Sequence, residues 1–119
     1  MTQKKWWGIS TSLDLHNCEP KLLRNPAVIR QFITELVKLL KMQKHGPTRV
    51  ERYGTRKLNG LSAMQFIKTS SIVVHCDDKG NRTFIDIFSC KKYNPKKAVD
   101  FSKKFFKAKG VFVHIEKRV

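Results

Sequence analysis

The sequence predicts an α+β fold: a two-layer sandwich in which a mainly antiparallel sheet carries two helices on one face. The chain has 119 residues, the length of one ordinary domain, so we expect a single domain over residues 1–119. Asn-Pro occurs twice, each time followed by apolar residues at helical spacing, and the remaining segments alternate like half-buried strands. The expected order is β-α-β-β-β-α-β, which leaves one sheet face free for a partner or second subunit.

The first two elements are a strand and a long helix. Residues 7–15 alternate with the period of a half-buried strand. Asn25-Pro26 predicts a helix start, because asparagine caps free amide groups and proline suits the first helical position. The apolar residues that then recur at helical spacing are Ile29, Phe32, Ile33, Leu36 and Leu40. We expect this stripe to lie in the core and His45-Gly46-Pro47 to end the helix.

The middle of the chain is rich in strand patterns. We expect a short strand over residues 48–53 and a basic loop over 54–60. One long strand is expected over 61–76, and a further strand over 82–90 after a turn at 77–81.

The last two elements repeat the pairing of a helix with a strand. Asn94-Pro95 predicts a second helix start. The apolar residues that follow at helical spacing are Ala98, Phe101, Phe105 and Ala108. Gly110 ends this helix, and the alternation after it predicts a final strand.

Composition narrows the class of protein. No apolar run approaches the roughly 20 residues that span a bilayer, and the opening MTQKKWWGIST has no apolar core of signal-peptide length. We therefore expect a cytoplasmic protein with no membrane association. The three cysteines, Cys18, Cys76 and Cys90, form no CxxC pair, which argues against a disulfide framework and a zinc ribbon. Nothing in the sequence indicates a metal or a nucleotide cofactor.

The net charge of +16 raises the question of a polyanionic partner. The 25 lysines and arginines are scattered along the chain, from Lys4-Lys5 to the carboxyl end, and many fall on the polar faces of the predicted helices. No RNA-recognition signature or zinc-finger spacing is present. Two interpretations remain: a solvated basic surface, which the scatter favours, and a nucleic-acid site.

The segment KTSSIVVHCDD, residues 68–78, carries the candidate chemistry. Ser70 and Ser71 interrupt an apolar run, and His75 follows on the same predicted strand. A serine is a weak nucleophile without a base, and His75 is the only nearby histidine. No carboxylate stands in position to complete a hydrolase triad, and no GxSxG elbow occurs. The residues taken alone are compatible with inert strand packing or with a nucleophile and its base.

The expected hairpin brings a thiol into the same region. If the turn at 77–81 is tight, residues whose numbers add up to about 158–160 face each other across the two strands. Ser70 would then lie near Cys90, and His75 near Thr83 or Ile85. A hydroxyl and a thiol would stand side by side on neighbouring strands.

Four segments carry a resemblance to a known family. They are LDLHNC, NGLSAMQFI, TSSIVVH and FIDIFSCKKYNPKKA. They are similar to the first strand, the Gly-x-Ser strand, the Glu-Ser-His-x-x-x-His segment and the Ile-Asp-x-Phe-x-Cys strand of the small bacterial and archaeal S-adenosylmethionine decarboxylases. These are pyruvoyl-dependent proenzymes of polyamine biosynthesis. The resemblance runs from Trp7 to about Lys117 and has no gap between Ser62 and Cys90.

The resemblance implies a role for four residues. Ser70 matches the serine that attacks the preceding carbonyl and becomes the pyruvoyl group, so the chain would be cut between Thr69 and Ser70. His75 matches the histidine that removes the α-proton, and Ser62 matches a serine that assists processing. Cys90 matches the cysteine that returns a proton to the substrate carbon after carbon dioxide leaves. The pyruvoyl ketone would form a Schiff base with the substrate amine and act as an electron sink.

The chain departs from the family pattern at the cut and beyond it. Thr69 stands where the family has glutamate, and Ser70-Ser71 replaces serine-histidine. Lys79 stands where the family has a glutamate that binds the ribose of the substrate. Pyruvoyl-dependent decarboxylation of S-adenosylmethionine, which supplies the aminopropyl donor for spermidine, is the main prediction. The alternatives are the same chemistry on ornithine or arginine, an inactive paralogue, and a basic nucleic-acid-binding domain.

The same resemblance implies the partners. The ligand would be a small molecule, S-adenosylmethionine or a related amino acid. The family forms dimers whose active sites lie near subunit contacts, so we expect a homodimer at least.

Overall fold

A computed structural model describes residues 7–119. The opening segment MTQKKWWGIST and Lys4-Lys5, interpreted above, fall wholly or partly in residues 1–6, outside the described residues. The strands are β1 (Gly8–His16), β2 (Arg49–Tyr53), β3 (Gly60–Ile67), β4 (Ser70–Asp77), β5 (Arg82–Ser89) and β6 (Gly110–Arg118). The helices are α1 (Pro20–Leu23), α2 (Pro26–Leu39) and α3 (Pro95–Phe105), with a short 3-10 turn at Arg56–Leu58.

All six described strands belong to one antiparallel sheet, in the order β2-β3-β4-β5-β1-β6. One face is covered by α2 and α3, whose apolar sides meet around Phe32. The ring centroid of Phe32 lies 4.7 Å from that of Phe106 and 5.2 Å from that of Phe105. The predicted fold class, an α+β sandwich with helices on one sheet face, is confirmed.

Both predicted helix starts are confirmed, with the expected caps. The Asn25 side chain accepts a hydrogen bond from the amide of Ala27, and Asn94 does the same for Lys96. Proline occupies the first turn of each helix. None of the helices within residues 7–119 has the length and apolar character to cross a membrane.

The single long strand expected over residues 61–76 is wrong. It is two strands, β3 and β4, joined by a two-residue turn at Lys68-Thr69, so the sheet has one strand more than the predicted order. The physical reason lies in which positions are buried. Leu61, Ala63, Gln65 and Ile67 face the helices at odd positions, whereas Ile72, Val74 and Cys76 face them at even positions. In a continuous strand the residues that face the helices are all odd-numbered or all even-numbered. A two-residue turn between paired positions changes odd to even, as observed here.

No helix or second sheet formed by residues 7–119 covers the other face of the sheet. Large apolar side chains stand exposed there, including Phe66 at 61% and Phe112 at 69% exposure, with Met64 and Tyr53 near the β2 edge. We call this surface the open face. Polar groups share it, among them Asp86, which accepts a hydrogen bond from Ser12.

Ser102 offers a test of the packing under α3. Its side chain is fully buried, and its hydroxyl has no hydrogen-bond partner among residues 7–119. A buried unpaired polar group is destabilising, and alanine is the better helix former. We expect Ser102→Ala to raise the free energy of unfolding by about 1 kcal/mol in urea denaturation. Thr34→Ala removes from α2 an exposed hydroxyl that accepts a hydrogen bond from Nζ of Lys44. It is the control for a hydroxyl that has a partner and should not raise stability; an equal gain would contradict the explanation.

Candidate active site

The predicted cleavage position lies in the tight turn between β3 and β4. Lys68 and Thr69 form the turn, and Ile67 pairs with Ser70 across it. Thr69 has φ +64°, and among the non-glycine residues with positive φ in the described chain it alone has a β-branched side chain. This conformation costs roughly 1–2 kcal/mol in an L-residue. The peptide bond that follows Thr69 is therefore held in a strained segment.

The side chain of Ser70 is hydrogen-bonded to a residue of the neighbouring strand β5. Its Oγ donates to Oγ of Ser89 at 2.7 Å, and the two residues are direct partners in the β4–β5 ladder. The register falls within the predicted range, with Ser89 rather than Cys90 directly opposite Ser70. His75 lies opposite Phe84, between the two positions predicted for it.

Cys90, which follows β5, contacts the predicted cleavage position. Its Sγ donates a hydrogen bond to the carbonyl oxygen of Thr69, at 3.3 Å. This oxygen belongs to the peptide bond between Thr69 and Ser70. The sequence predicted that Ser70 and Cys90 would lie close together, and the structure brings them to the same peptide bond. The neighbouring serine, Ser71, projects on the open face.

Ser62 and His75 form a second pair on the open face. They are direct partners between β3 and β4, and Oγ of Ser62 lies 2.8 Å from Nδ1 of His75. A pocket of about 220 Å³ adjoins them, lined also by Glu51 and Tyr53 of the edge strand β2 and by Met64. The turn that sequence reasoning missed is what places these two residues opposite each other.

The two pairs do not meet within one protomer. His75 is five residues beyond Ser70 on β4, which corresponds to roughly 16 Å along a strand. An odd separation also directs the two side chains to opposite faces of the sheet. One chain therefore brings Ser70 together with Cys90 and Ser62 together with His75, but leaves these pairs apart.

A second pocket, of about 290 Å³, opens beside Ser70 and Thr69. Every charged residue that lines it is a lysine: Lys41, Lys68 and Lys91. Nζ of Lys91 donates to the carbonyl oxygen of Lys41 at 2.6 Å, which holds this side chain across the pocket. Sequence reasoning described the basic residues as scattered, because their convergence depends on α2 ending next to the β3–β4 turn.

The other two cysteines lie in the core. Burial raises the pKa of Cys76 to about 12, because the charged thiolate loses its hydration there. Burial also raises the pKa of Cys18, whose Sγ lies 3.6 Å from Oγ of Thr83. Both residues are buried.

The β4–β5 turn contains Lys79 with two carboxylates before it. Asp77 forms an ion pair with Arg82 at 2.7 Å, and Asp78 forms one with Arg52 at 2.6 Å. The Lys79 side chain is exposed. Neither carboxylate replaces a glutamate at position 79, since each is already bound to an arginine. Within residues 7–119, no group of three or more His, Cys, Asp or Glu side chains is arranged to hold a metal ion.

This chain is similar to known proteins over nearly its whole length. Two curated relatives are named S-adenosylmethionine decarboxylase proenzyme. The one from Thermococcus kodakarensis is 29% identical over 119 residues, covering 99% of this chain and 80% of the relative. The one from Pyrococcus furiosus is 28% identical over 112 residues, covering 93% of this chain and 78% of the relative.

The fold is also that of a solved structure. The crystal structure of the adenosylmethionine decarboxylase from Aquifex aeolicus superposes with a TM-score of 0.83, covering 97% of this chain and 92% of that one. At 16% identity this likeness shows the fold alone. A family model described as S-adenosylmethionine decarboxylase matches residues 9–119. Because the match extends over nearly the whole sequence, the chain belongs to the S-adenosylmethionine decarboxylase family.

Proposed function

We propose that this chain is a proenzyme that cleaves itself between Thr69 and Ser70 and then decarboxylates S-adenosylmethionine, yielding the aminopropyl donor for spermidine. The observation that carries the proposal is the pair of hydrogen bonds at that peptide bond. The Ser70 hydroxyl is held by Ser89, and the Thr69 carbonyl oxygen accepts from the Cys90 thiol. The proenzyme names of the two curated relatives support the same conclusion.

The first step is attack of Oγ of Ser70 on the carbonyl carbon of Thr69. The thiol of Cys90 donates to the oxygen on which negative charge develops, the arrangement of an oxyanion-stabilising donor. Cutting the chain here also releases the positive-φ conformation of Thr69, so the strain of the turn favours the products.

The second step needs a base for the α-proton of Ser70. His75 is the proposed base, and Ser62, hydrogen-bonded to its Nδ1, orients the ring. Because His75 lies on the open face and well away from Ser70 in its own chain, a second protomer must supply it. We therefore propose a homodimer in which each site takes Ser70 and Cys90 from one chain and Ser62 and His75 from the other.

The residues at the cut fit a pyruvoyl group formed from Ser70. Hydroxyl, thiol and lysine groups surround this position, and no carboxylate lines the pocket beside it. Such a group supplies a ketone that withdraws electrons from the α-carbon of an amino acid. Cys90, half-buried and within reach of the cut, is the proposed donor of the proton that replaces the lost carboxyl group.

The lysine pocket beside Ser70 is the proposed binding site for the carboxylate of the substrate. Lys68 and Lys91 line this pocket, and their ammonium groups would pair with that carboxylate. After decarboxylation the product has lost this anionic group, and the same positive field repels the amine. The arrangement therefore favours binding of the substrate carboxylate and release of the product.

Self-cleavage is tested by the intact mass of the purified protein under denaturing conditions. We expect two fragments, Met1–Thr69 and Ser70–Val119, the second with a blocked amino end. Ser70→Ala removes the nucleophile and should leave one uncut chain. Ser71→Ala, the adjacent serine on the open face, is the matched control and should be cut like the wild type. A wild-type chain that stays uncut on long incubation would exclude the proposal.

Shared sites are tested by mixing two uncut variants. Ser70→Ala and His75→Ala each lack one half of the site, so neither is expected to cut alone. Refolded together, mixed dimers contain one complete site, and about half of the His75→Ala chains should be cut if subunits pair at random. The Ser70→Ala chains should remain intact. If the His75→Ala variant is cut when the Ser70→Ala variant is absent, His75 is not the base.

The accessibility of Cys90 is tested with a thiol reagent at pH 8. We expect fast labelling at Cys90 and slow labelling at Cys18 and Cys76. The raised pKa values of the two buried thiols keep them protonated, and the thiolate is the reactive form. Peptide mass mapping identifies the labelled site. Fast labelling of a Cys90→Ser variant would contradict this assignment, and unfolding in guanidinium should expose all remaining thiols.

A further inference from the structure

Ser89 has a hydroxyl in a place where an apolar side chain would ordinarily be found. It is the last residue of β5, on the sheet face that packs against the helices, and it is fully buried. Ile85 and Ile87 precede it on the same face. Burying a hydroxyl is unfavourable unless it is hydrogen-bonded, so the partners of Ser89 indicate what the residue does.

Two donors converge on the Ser89 oxygen. Oγ of Ser70 donates to it at 2.7 Å from one side, and the backbone amide of Lys91 donates at 2.9 Å from the other. A hydroxyl oxygen has two acceptor lone pairs, so both are in use. The hydrogen bond from the Lys91 amide fixes the rotamer of Ser89. The position of the Ser89 oxygen then determines the direction in which the Ser70 hydroxyl hydrogen points.

We propose that Ser89 is a positioning residue of self-cleavage, orienting the Ser70 hydroxyl for attack on the Thr69 carbonyl. With the Ser70 hydrogen directed at Ser89, the lone pairs of its oxygen are left for the carbonyl carbon. The next residue, Cys90, holds the oxygen of that carbonyl. Consecutive residues at the end of β5 thus hold the nucleophile and the electrophile of one reaction. This inference rests on the proposed self-cleavage.

The step conserves atoms and charge. The Ser70 Oγ–C bond to the Thr69 carbonyl carbon forms, and the peptide C–N bond between the two residues breaks. The proton leaves Oγ and ends on the freed nitrogen of Ser70, giving an ester and an amine. Ser89 supplies orientation and accepts the hydrogen bond at the start of this transfer; it is neither consumed nor oxidised.

The test isolates this step in a His75→Ala background, in which the proposed base of the later elimination is absent. Hydroxylamine cleaves an ester faster than any peptide bond under mild conditions, so release of the Ser70–Val119 fragment, distinguished by mass from a cut at Asn59-Gly60, measures ester formation. We expect Ser89→Ala to slow release about 10- to 100-fold, the effect of a misplaced reacting group. Ser89→Thr keeps the hydroxyl and should restore most of the rate.

A structural role for Ser89 predicts a different pattern. Urea denaturation in the Ser70→Ala background, where no cut occurs, measures the stability of each Ser89 variant. If Ser89→Ala lowers stability but releases ester fragment at the His75→Ala rate, Ser89 only supports the strand and the proposal is overturned. Should Ser89→Ala fail to fold, Ser89→Cys provides a weaker acceptor of similar size, and its rate should fall between those of alanine and serine.

The wild-type chain distinguishes this proposal from the one on which it rests. If the wild type is never cut and His75→Ala never yields an ester, self-cleavage itself is excluded, and Ser89 positioning with it. If the wild type is cut and Ser89→Ala is cut at the same rate, self-cleavage stands and only the role of Ser89 is excluded. Ser71→Ala should match the wild type in either case.

Discussion

The candidate site depends on one constraint, the alternation of side chains along β4. Neighbouring residues of a strand project to opposite faces of the sheet, and the pairing with β3 and β5 leaves no freedom to rotate them. Ser70 is thereby held beside Ser89, and His75 beside Ser62. A shift of register by one residue would exchange the faces and break both hydrogen bonds. The register in turn is held by the buried partners Ile72 and Val74, which are fully enclosed under the helices.

The β3–β4 turn is a second constraint on the candidate site. Its backbone conformation lowers the stability of the fold at the position proposed for self-cleavage. A turn of this kind usually places glycine or asparagine at the position with positive φ, and this chain has Thr69. The cost is acceptable since the strands on both sides are fully paired and the sheet fixes the turn. Strain of about 1–2 kcal/mol at one residue is roughly tenfold in an equilibrium, so it would assist the proposed cut without deciding it.

Local signals predicted much of the fold. The helix starts at Asn25 and Asn94 were predicted correctly, because capping depends on a few adjacent residues. The missed turn at Lys68-Thr69 has neither glycine nor proline, so composition gave no warning. The change of buried parity between Ile67 and Ile72 was the one available signal.

The candidate site was predicted in part. The proximity of Ser70 and Cys90 could be predicted from a tight turn between β4 and β5, because the numbers of facing residues in such a hairpin add up to a constant. The separation of Ser70 from His75 was already implied by their odd spacing on one predicted strand, which directs the two side chains to opposite faces. Ser89 could not be singled out, because a serine in a buried strand carries no signal until its partners are known.

The order of strands has a consequence for the molecule after a cut at the turn. The amino-terminal piece would keep β1, and the carboxyl-terminal piece would keep β5 and β6. In the sheet, β1 lies between β5 and β6, and is hydrogen-bonded to both along its length. The two pieces would thus be interlocked, and neither could leave without opening three seams of the sheet. Losing one peptide bond would turn a single chain into a two-chain protein whose assembly needs no new contacts.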